Sequence, residues 1–338
     1  MRAIVIEKPN NICLKEVEVP ALKPGFALVK VMASAICATD LELLEGNIAA
    51  AFPIIPGHEW SGIVEAVADG ADSCWIGKRV VGSNDIRCLV CPACISGQWR
   101  YCAQFREIGF LANGAYAEYV QVPVYGLCQL PDTVSFVQGA LIEPMGVAVG
   151  TLAKAGAQLG DTLLIVGAGS IGLNMLAVAK AMGMRKIVVA AHGRGRLGIA
   201  REMGAYEVIE MGRQDLEKEI ASLHPGGTDV VIDATGMEDC IRLCLRVTRK
   251  GGSFALAGFG RGKEMQIRID DIHIKNLKVA GAGNNWNLIE KCVNLIECGI
   301  VGTEIMATHK IKLEDYALGL KLAKERPGGF VKAVFIND

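Results

Sequence analysis

The sequence predicts an α/β protein of two domains. Residues 1–150 form a β-rich part, residues 151–287 a doubly wound parallel sheet, and 288–338 are expected to return to the first. Three observations predict this. The chain has 338 residues, 51% hydrophobic and 21% charged, which is too long for one ordinary domain and apolar enough for a sizeable core. Short β patterns separated by Gly, Pro and Asp occupy 3–7, 27–32, 62–67, 78–82 and 115–122, and helical periodicity is scarce among them. From about residue 162, strand patterns at 163–166, 187–190, 207–209, 230–233, 254–257 and 277–280 alternate with amphipathic stretches at 171–182, 197–203 and 216–223. That alternation is the mark of βαβ units. The closing segment carries helical patterns over 288–297 and 313–325 and a strand over 332–336.

Charge and composition narrow the function. Lys plus Arg number 35 and Asp plus Glu 36, for a net charge of −1. This balance argues against a nucleic-acid or membrane partner. Met1-Arg2-Ala3-Ile4-Val5-Ile6-Glu7 reaches an acid before any signal-peptide core develops and reads as a first strand. A cytoplasmic, reducing compartment is therefore expected, where the 12 cysteines serve as ligands, catalytic groups or small core residues rather than disulfides. The stretch 163–179 has no charge over 17 residues, but three glycines interrupt it. A buried strand turning into a helix explains it better than a membrane span.

Gly167-Ala168-Gly169-Ser170-Ile171-Gly172 follows the apolar run 163–166 and opens a helical pattern. In that context it reads as a Rossmann dinucleotide loop: Gly167 for the tight turn, Gly169 for approach of the backbone to a pyrophosphate, Gly172 for helix–strand packing. The helix N-terminus offers free N–H groups and partial positive charge. After the second strand comes Ala191-His192-Gly193-Arg194-Gly195-Arg196, with no acid before Glu202. The carboxylate that binds a ribose 2′-OH in NAD sites is missing, and His192, Arg194 and Arg196 suit a 2′-phosphate, so NADP is favoured over NAD.

Cys88, Cys91, Cys94 and Cys102 lie on a polar, Gly- and Pro-bearing loop at a spacing that suits a closed tetrahedral zinc site. Zinc would hold a loop that has too few apolar residues to hold itself. Two further motifs stand upstream, Cys37-Ala38-Thr39-Asp40 and Gly57-His58-Glu59.

Taken together, these motifs and the lobe between them and the Gly167 loop resemble, nearly end to end, the zinc-containing medium-chain dehydrogenase/reductase (alcohol dehydrogenase) superfamily. The resemblance is greatest to its polyol, sorbitol and threonine dehydrogenase branch, because Glu143-Pro144 stands where ordinary alcohol dehydrogenases have a third cysteine ligand. It implies a GroES-like β-rich catalytic domain beside the Rossmann sheet, and one catalytic and one structural Zn2+. A catalytic zinc needs three protein ligands and an open position; Cys37 and His58 supply two, and Glu59 or Glu143 the oxygen. In this branch the two glutamates can exchange during turnover.

Asp40 would orient His58 from behind. Thr39, two residues beyond a ligand, is placed to take the proton of the substrate hydroxyl. Glu42 stands where many relatives carry a relay histidine, and either shuttles protons or faces solvent. By the same resemblance Thr235, within Asp233-Ala234-Thr235-Gly236, and Gly283, within Ala282-Gly283-Asn284, line the cofactor groove. Relatives commonly form dimers or tetramers.

The expected substrate is a small polar alcohol, since a carboxylate ligand favours a harder, more hydrated site. A polyol or sugar alcohol ranks first; an aminocyclitol (2-deoxy-scyllo-inosamine-like) or L-threonine is the alternative. A non-catalytic zinc- and dinucleotide-binding protein would lack a ligand or the relay hydroxyl, yet Cys37, His58, Glu143 and Thr39 are all present. A thiol sensor would need an exposed thiol beside a basic group. Cys240, Cys244 and Cys292 instead sit among Leu, Ile or Val.

Overall fold

The computed structural model describes residues 1–337 apart from 69, 71 and 284–287. Six parallel strands lie in the order Glu207–Glu210, Arg185–Ala191, Thr162–Val166, Thr228–Asp233, Thr248–Leu256 and Lys278–Gly281. The chain starts in the middle, runs outward one way, returns, and runs outward the other way. That creates a switch point between Thr162–Val166 and Thr228–Asp233, where open α/β sheets bind ligands at their carboxyl ends. Leu163, Leu164, Ile165 and Val166 are fully buried, as a strand covered on both faces requires. The uncharged run at 163–179 divides into this strand and the helix Ser170–Ala181, and no helix among the described residues is long and apolar enough to cross a membrane.

The second sheet is mainly antiparallel, in the order His309–Lys312, Ala333–Ile336, Phe26–Ala35, Glu59–Val67, Arg79–Gly82 and Leu127–Gln129, and Tyr119–Pro123 also pairs with Phe26–Ala35. The last strand of the chain thus lies beside the central strand of the first part, Val334 opposite Ala35. Between the sheets stands the helix Ile142–Lys154. Leu141, Ile142, Met145, Ala148 and Leu152 share one apolar core with Ala33 and Ala35 on one side and Leu163 and Ile165 on the other.

Most elements fall where the sequence patterns put them; the helix Leu216–Leu223 has the expected bounds. Two expectations are corrected. The strand expected at 115–122 is confined to Tyr119–Pro123, because the Ala115 and Tyr116 N–H groups donate to the carbonyls of Gly57 and Pro56 instead of joining the ladder. The first 150 residues also hold more helix than periodicity indicated: Ala38–Glu45, Phe136–Ala140 and the start of Ile142–Lys154. Pro144 and Gly146 argue against the last of these on propensity. Proline is tolerated in the first turn, however, and burial between two sheets outweighs a modest propensity cost.

Asp229 ties the parallel sheet at its amino end. Its carboxylate accepts from the Thr162 N–H (2.8 Å) and hydroxyl (2.6 Å), and from Arg249 Nε (2.6 Å). Partial burial pushes the Asp229 carboxyl up, but the Thr162 hydrogen bonds and the Arg249 charge outweigh it and hold it down at about 2. A depressed folded-state pKa contributes stability above the unfolded value and loses it as pH falls through the folded one. Asp229→Asn should therefore melt below the wild type at neutral pH, by about 1 kcal/mol after allowance for solvent screening. The gap should close between about pH 4 and pH 2 in thermal melts.

Candidate active site

Three strand ends meet at one place. Antiparallel pairing sets Ala35 opposite Glu59, which brings His58 and Glu59 beside Cys37, two residues past Ala35. On the other flank the Ile36 N–H donates to the Ala333 carbonyl at 2.9 Å, bringing Lys332 to the same end. A Cys37 sulfur, a His58 ring nitrogen and a Glu59 carboxylate oxygen lie within 4.8 Å of one another. Gly57 makes this turn possible. Its φ is +97°, and a Cβ there would stand 2.4 Å from the Tyr116 ring.

Cys37 precedes the helix Ala38–Glu45, and its N–H donates to Asp40 Oδ2 at 2.8 Å. The Tyr116 hydroxyl donates to the same oxygen at 2.5 Å. Asp40 Oδ1 faces His58 Nδ1 at 3.4 Å, and neither atom has another partner among the described residues. Burial pushes the Asp40 carboxyl up, but the His58 charge and the hydrogen bonds from His58, Tyr116 and Cys37 hold it below its ordinary range. With Nδ1 turned to an ionised Asp40, the other ring nitrogen of His58 is the one free to coordinate. The ring packs against Phe110, centroids 4.9 Å apart. Thr39 is half-buried, its hydroxyl oxygen 3.4 Å from the Cys37 sulfur.

The two glutamates differ. Glu59 is buried, and Lys332, only 4% exposed, reaches both its oxygens, with 2.5 Å to Oε1. Burial pulls the Lys332 ammonium down, but Glu59, Cys37 and Glu143 more than restore it. Glu143, in the first turn of Ile142–Lys154, lies beside the compact group without being part of it. Burial, aided by Glu59 and Glu107, pushes its carboxyl up to about 7 against the pull of His58 and Lys332. A buried set of one thiol and several carboxyls, incompletely neutralised by the protein's own cations, fits a divalent ion. The sequence reading has Lys332 only as the start of a strand. A lysine entering the apolar run Ala333-Val334-Phe335-Ile336 is the signal that could have found it.

The four lobe sulfurs also lie within 4.8 Å of one another. Cys88 Sγ is 3.9 Å from that of Cys94 and 3.6 Å from that of Cys102. A tetrahedron with Zn–S bonds of about 2.3 Å has edges of about 3.8 Å, so the cage fits zinc. The N–H groups of Cys91 and Gln104 approach the Cys88 and Cys102 sulfurs at 3.4 Å, as donors to thiolates do. All twelve cysteines are free thiols. Cys240, Cys244 and Cys292 are buried, and burial pushes all three thiols up, Cys292 to about 12.

The Gly167 loop fits a dinucleotide phosphate. Gly167 has φ +114°, and a Cβ on Gly172 would stand 1.9 Å from the Gly167 carbonyl oxygen. Among the described residues, nothing lies within 4 Å of a Cβ at Gly169, and the neighbouring buried Ser170 hydroxyl has no partner. Ala168 is buried and Ile171 half-buried. The basic residues are not equivalent. His192 is exposed; Arg194 pairs with Glu210 at 3.1 Å; Arg196 is half-buried beside Arg326, and burial followed by the Arg326 charge pulls its pKa down.

Thr235 is committed to its turn. Its N–H and hydroxyl donate to Asp233 at 3.0 and 2.5 Å, and its oxygen accepts from the Met237 N–H at 3.1 Å. Gly283 lies under the Lys154 side chain; Asn284 lies outside the described residues. Glu42 does not face solvent, which corrects that alternative. It is buried, held by Asn47 and Arg261, each at 2.8 Å.

Residues 23–132 match the family model for the alcohol dehydrogenase GroES-like domain, and residues 170–297 that for zinc-binding dehydrogenases. A sorbitol dehydrogenase of Bacillus subtilis (strain 168) is 31% identical over 324 residues, covering 93% of this chain and 91% of its own. An L-threonine 3-dehydrogenase of Pyrococcus furiosus is 33% identical over 346 residues, covering 99% and 98%. Among solved structures, a zinc-binding dehydrogenase from Sinorhizobium meliloti 1021 bound to NADP has a TM-score of 0.93 at 30% identity, covering 99% of both chains.

Two outcomes follow from these geometries. Cys88→Ser is expected to bind one fewer zinc per chain than the wild type, by elemental analysis, and to melt at a lower temperature. Lys332→Met should cost about 3–5 kcal/mol in denaturant unfolding, because it strands a buried Glu59 charge. Adding Glu59→Gln should recover more than half of that loss.

Proposed function

The chain belongs to the zinc-containing medium-chain dehydrogenase/reductase (alcohol dehydrogenase) superfamily, in its polyol and threonine dehydrogenase branch, and from that premise we propose that it oxidises a secondary alcohol of a polyol or sugar alcohol. It is a zinc-dependent oxidoreductase acting on CH–OH donors with NAD(P). The observation that carries the substrate reading is the oxygen-rich metal pocket, with Cys37 and His58 facing Glu59 and Glu143 nearby. Such a donor set favours polar, hydrated substrates, and the sorbitol dehydrogenase relative points the same way. The threonine dehydrogenase relative keeps L-threonine as the second reading.

When bound, zinc held by Cys37, His58 and a glutamate supplies a Lewis acid that makes the alcohol more acidic, and the nicotinamide supplies the hydride acceptor. The chain's own residues do the rest. Thr39 takes the hydroxyl proton outward. Asp40 fixes the His58 tautomer, and Phe110 shields the imidazole face. Lys332 holds both oxygens of Glu59, whose carboxylate stays within 4.8 Å of the Cys37 sulfur and a His58 ring nitrogen, and Glu59 or Glu143 would supply the oxygen ligand. The Gly167 loop and Ser170 hold the pyrophosphate.

NADP over NAD is supported by the missing acid after Ala191 and by the positive surplus of Arg196 beside Arg326. Residues 1–150 with 288–338 form the catalytic domain, a division supported by the pairing of Ala333–Ile336 with Phe26–Ala35. Self-association is supported by the end position of the strand Lys278–Gly281 in its sheet and by exposed Ile269, Ile274 and Val279 nearby. The test is an initial-rate panel of polyols, aminocyclitols and L-threonine with both dinucleotides. The highest kcat/KM is expected for a polyol with NADP, and a threonine or aminocyclitol preference would replace the substrate reading. Thr39→Ala should lower kcat by about two to four powers of ten on the best substrate.

A further inference from the structure

One ion pair joins the helix that follows the antiparallel sheet's central strand to a turn of the parallel sheet. Glu42 lies on the helix Ala38–Glu45, which starts at Cys37 and also carries Thr39 and Asp40. Its Oε1 meets Arg261 Nε at 2.8 Å, and its Oε2 accepts from Asn47 Nδ2 at 2.8 Å. Arg261 belongs to the other sheet. It sits in the turn after Thr248–Leu256, at the carboxyl edge beside the switch point.

That turn is fastened from behind. The Ala257 and Gly258 N–H groups donate to the Asp233 carbonyl at 2.7 and 2.9 Å, and a Cβ on Gly258 would stand 1.9 Å from Gly236 N. The Asp233–Gly236 segment in turn touches the dinucleotide loop, since a Cβ on Gly167 would stand 3.1 Å from the Ala234 carbonyl carbon. The backbone beneath Arg261 is thus held by this stack of turns, so the contact opens either by rotation of the Arg261 side chain or by parting of the two sheets.

The local geometry points the same way. Lys263 N–H donates to the Gly260 carbonyl at 3.1 Å across Arg261 and Gly262, which have φ of +56° and +70°. Two consecutive left-handed residues suit Gly, Asn or Asp, so an arginine at the first of them breaks the local rule. Such violations are expected where a side chain has a task. The pair is also lopsided: the Glu42 side chain is 9% exposed and that of Arg261 54%. Loss of the contact would leave a desolvated carboxylate facing one amide.

We propose that the Arg261–Glu42 ion pair is a clasp across the dinucleotide crevice, and that Arg261 is a positioning residue which sets how long the dinucleotide stays bound. The inference rests on the dinucleotide reading above. Opening and product release set the turnover of many enzymes, and parting of the two sheets beside the switch point would break this contact.

The test is release of NADPH, with NADH in parallel, from zinc-loaded wild type, Arg261→Gln, Glu42→Gln and the double variant, followed by stopped-flow fluorescence. Each single change should speed release about two- to fivefold, the range of a partly exposed ion pair. The double variant should release no faster than the faster single one, because one contact is lost in each case. Raising salt from about 0.05 to about 0.5 M should speed the wild type more than the variants, which keep only the salt dependence of the dinucleotide's own phosphates. Arg261→Lys, which keeps the charge, should fall between wild type and Arg261→Gln and guards against a folding defect. Unchanged release in Arg261→Gln, or effects that add in the double variant, overturns the clasp. Failure of the wild type to bind either dinucleotide overturns the cofactor reading and the clasp together. Binding without polyol oxidation overturns the substrate reading alone and leaves the release result standing.

Discussion

Glu59 and Lys332, 273 residues apart and both nearly excluded from water, hold the active-site end of the antiparallel sheet together. Burying either charge alone would cost several kcal/mol, and the pair is tolerable only when the two are well matched. That requirement constrains the strands that carry them. Glu59 opens one neighbour of Phe26–Ala35, and Lys332 immediately precedes the other. A slip of one residue in either ladder would turn a charge to the opposite face. The central strand is thus held in register from both sides, and Cys37, just beyond its end, inherits its position.

The same electrostatics give the pocket its chemistry. Cys37, Asp40, Glu59 and Glu143 gather near one histidine and one buried lysine, and burial, with Glu59 and Glu107, raises the Glu143 carboxyl to about 7. A divalent cation held by Cys37, His58 and a glutamate would lower the cost of keeping these carboxylates charged. The lobe repeats this logic with thiols: backbone N–H groups hold Cys91 down to about 6, while burial and the neighbouring thiols push Cys94 up to about 12. Four sulfurs at such distances cannot all ionise without a cation between them. In both places the fold gathers ligand groups that a metal ion would stabilise.

Close backbone approaches position the remaining parts. Gly57 lets Tyr116 pass and reach Asp40, so the residue that orients His58 is itself held from a segment across the sheet. Gly258 against Gly236, and Gly167 against Ala234, pass the position of the dinucleotide loop outward to Arg261. The Ile142–Lys154 helix then locks the two sheets through one continuous core. The candidate metal pocket and the dinucleotide loop are therefore parts of one packed body.

Features whose physics is local were legible in the sequence. The Gly167–Gly172 spacing, the four-cysteine loop and the Cys37 and His58 motifs depend on backbone freedom and ligand chemistry within a few residues, and alternating patterns were enough to place the parallel strands. Glu143 could be flagged only by resemblance, because Pro144 and Gly146 conceal its helix until two sheets bury it. Lys332, Tyr116, Arg261 and Arg326 carried no motif, since each takes its role from a partner far along the chain. The sequence by itself determined the fold class, the metal-ligand chemistry and the nucleotide loop. The tertiary structure alone decided that Glu59 is tied to a lysine and Glu42 to an arginine, because the cost of a buried charge is met by whichever opposite charge the strand register brings within reach.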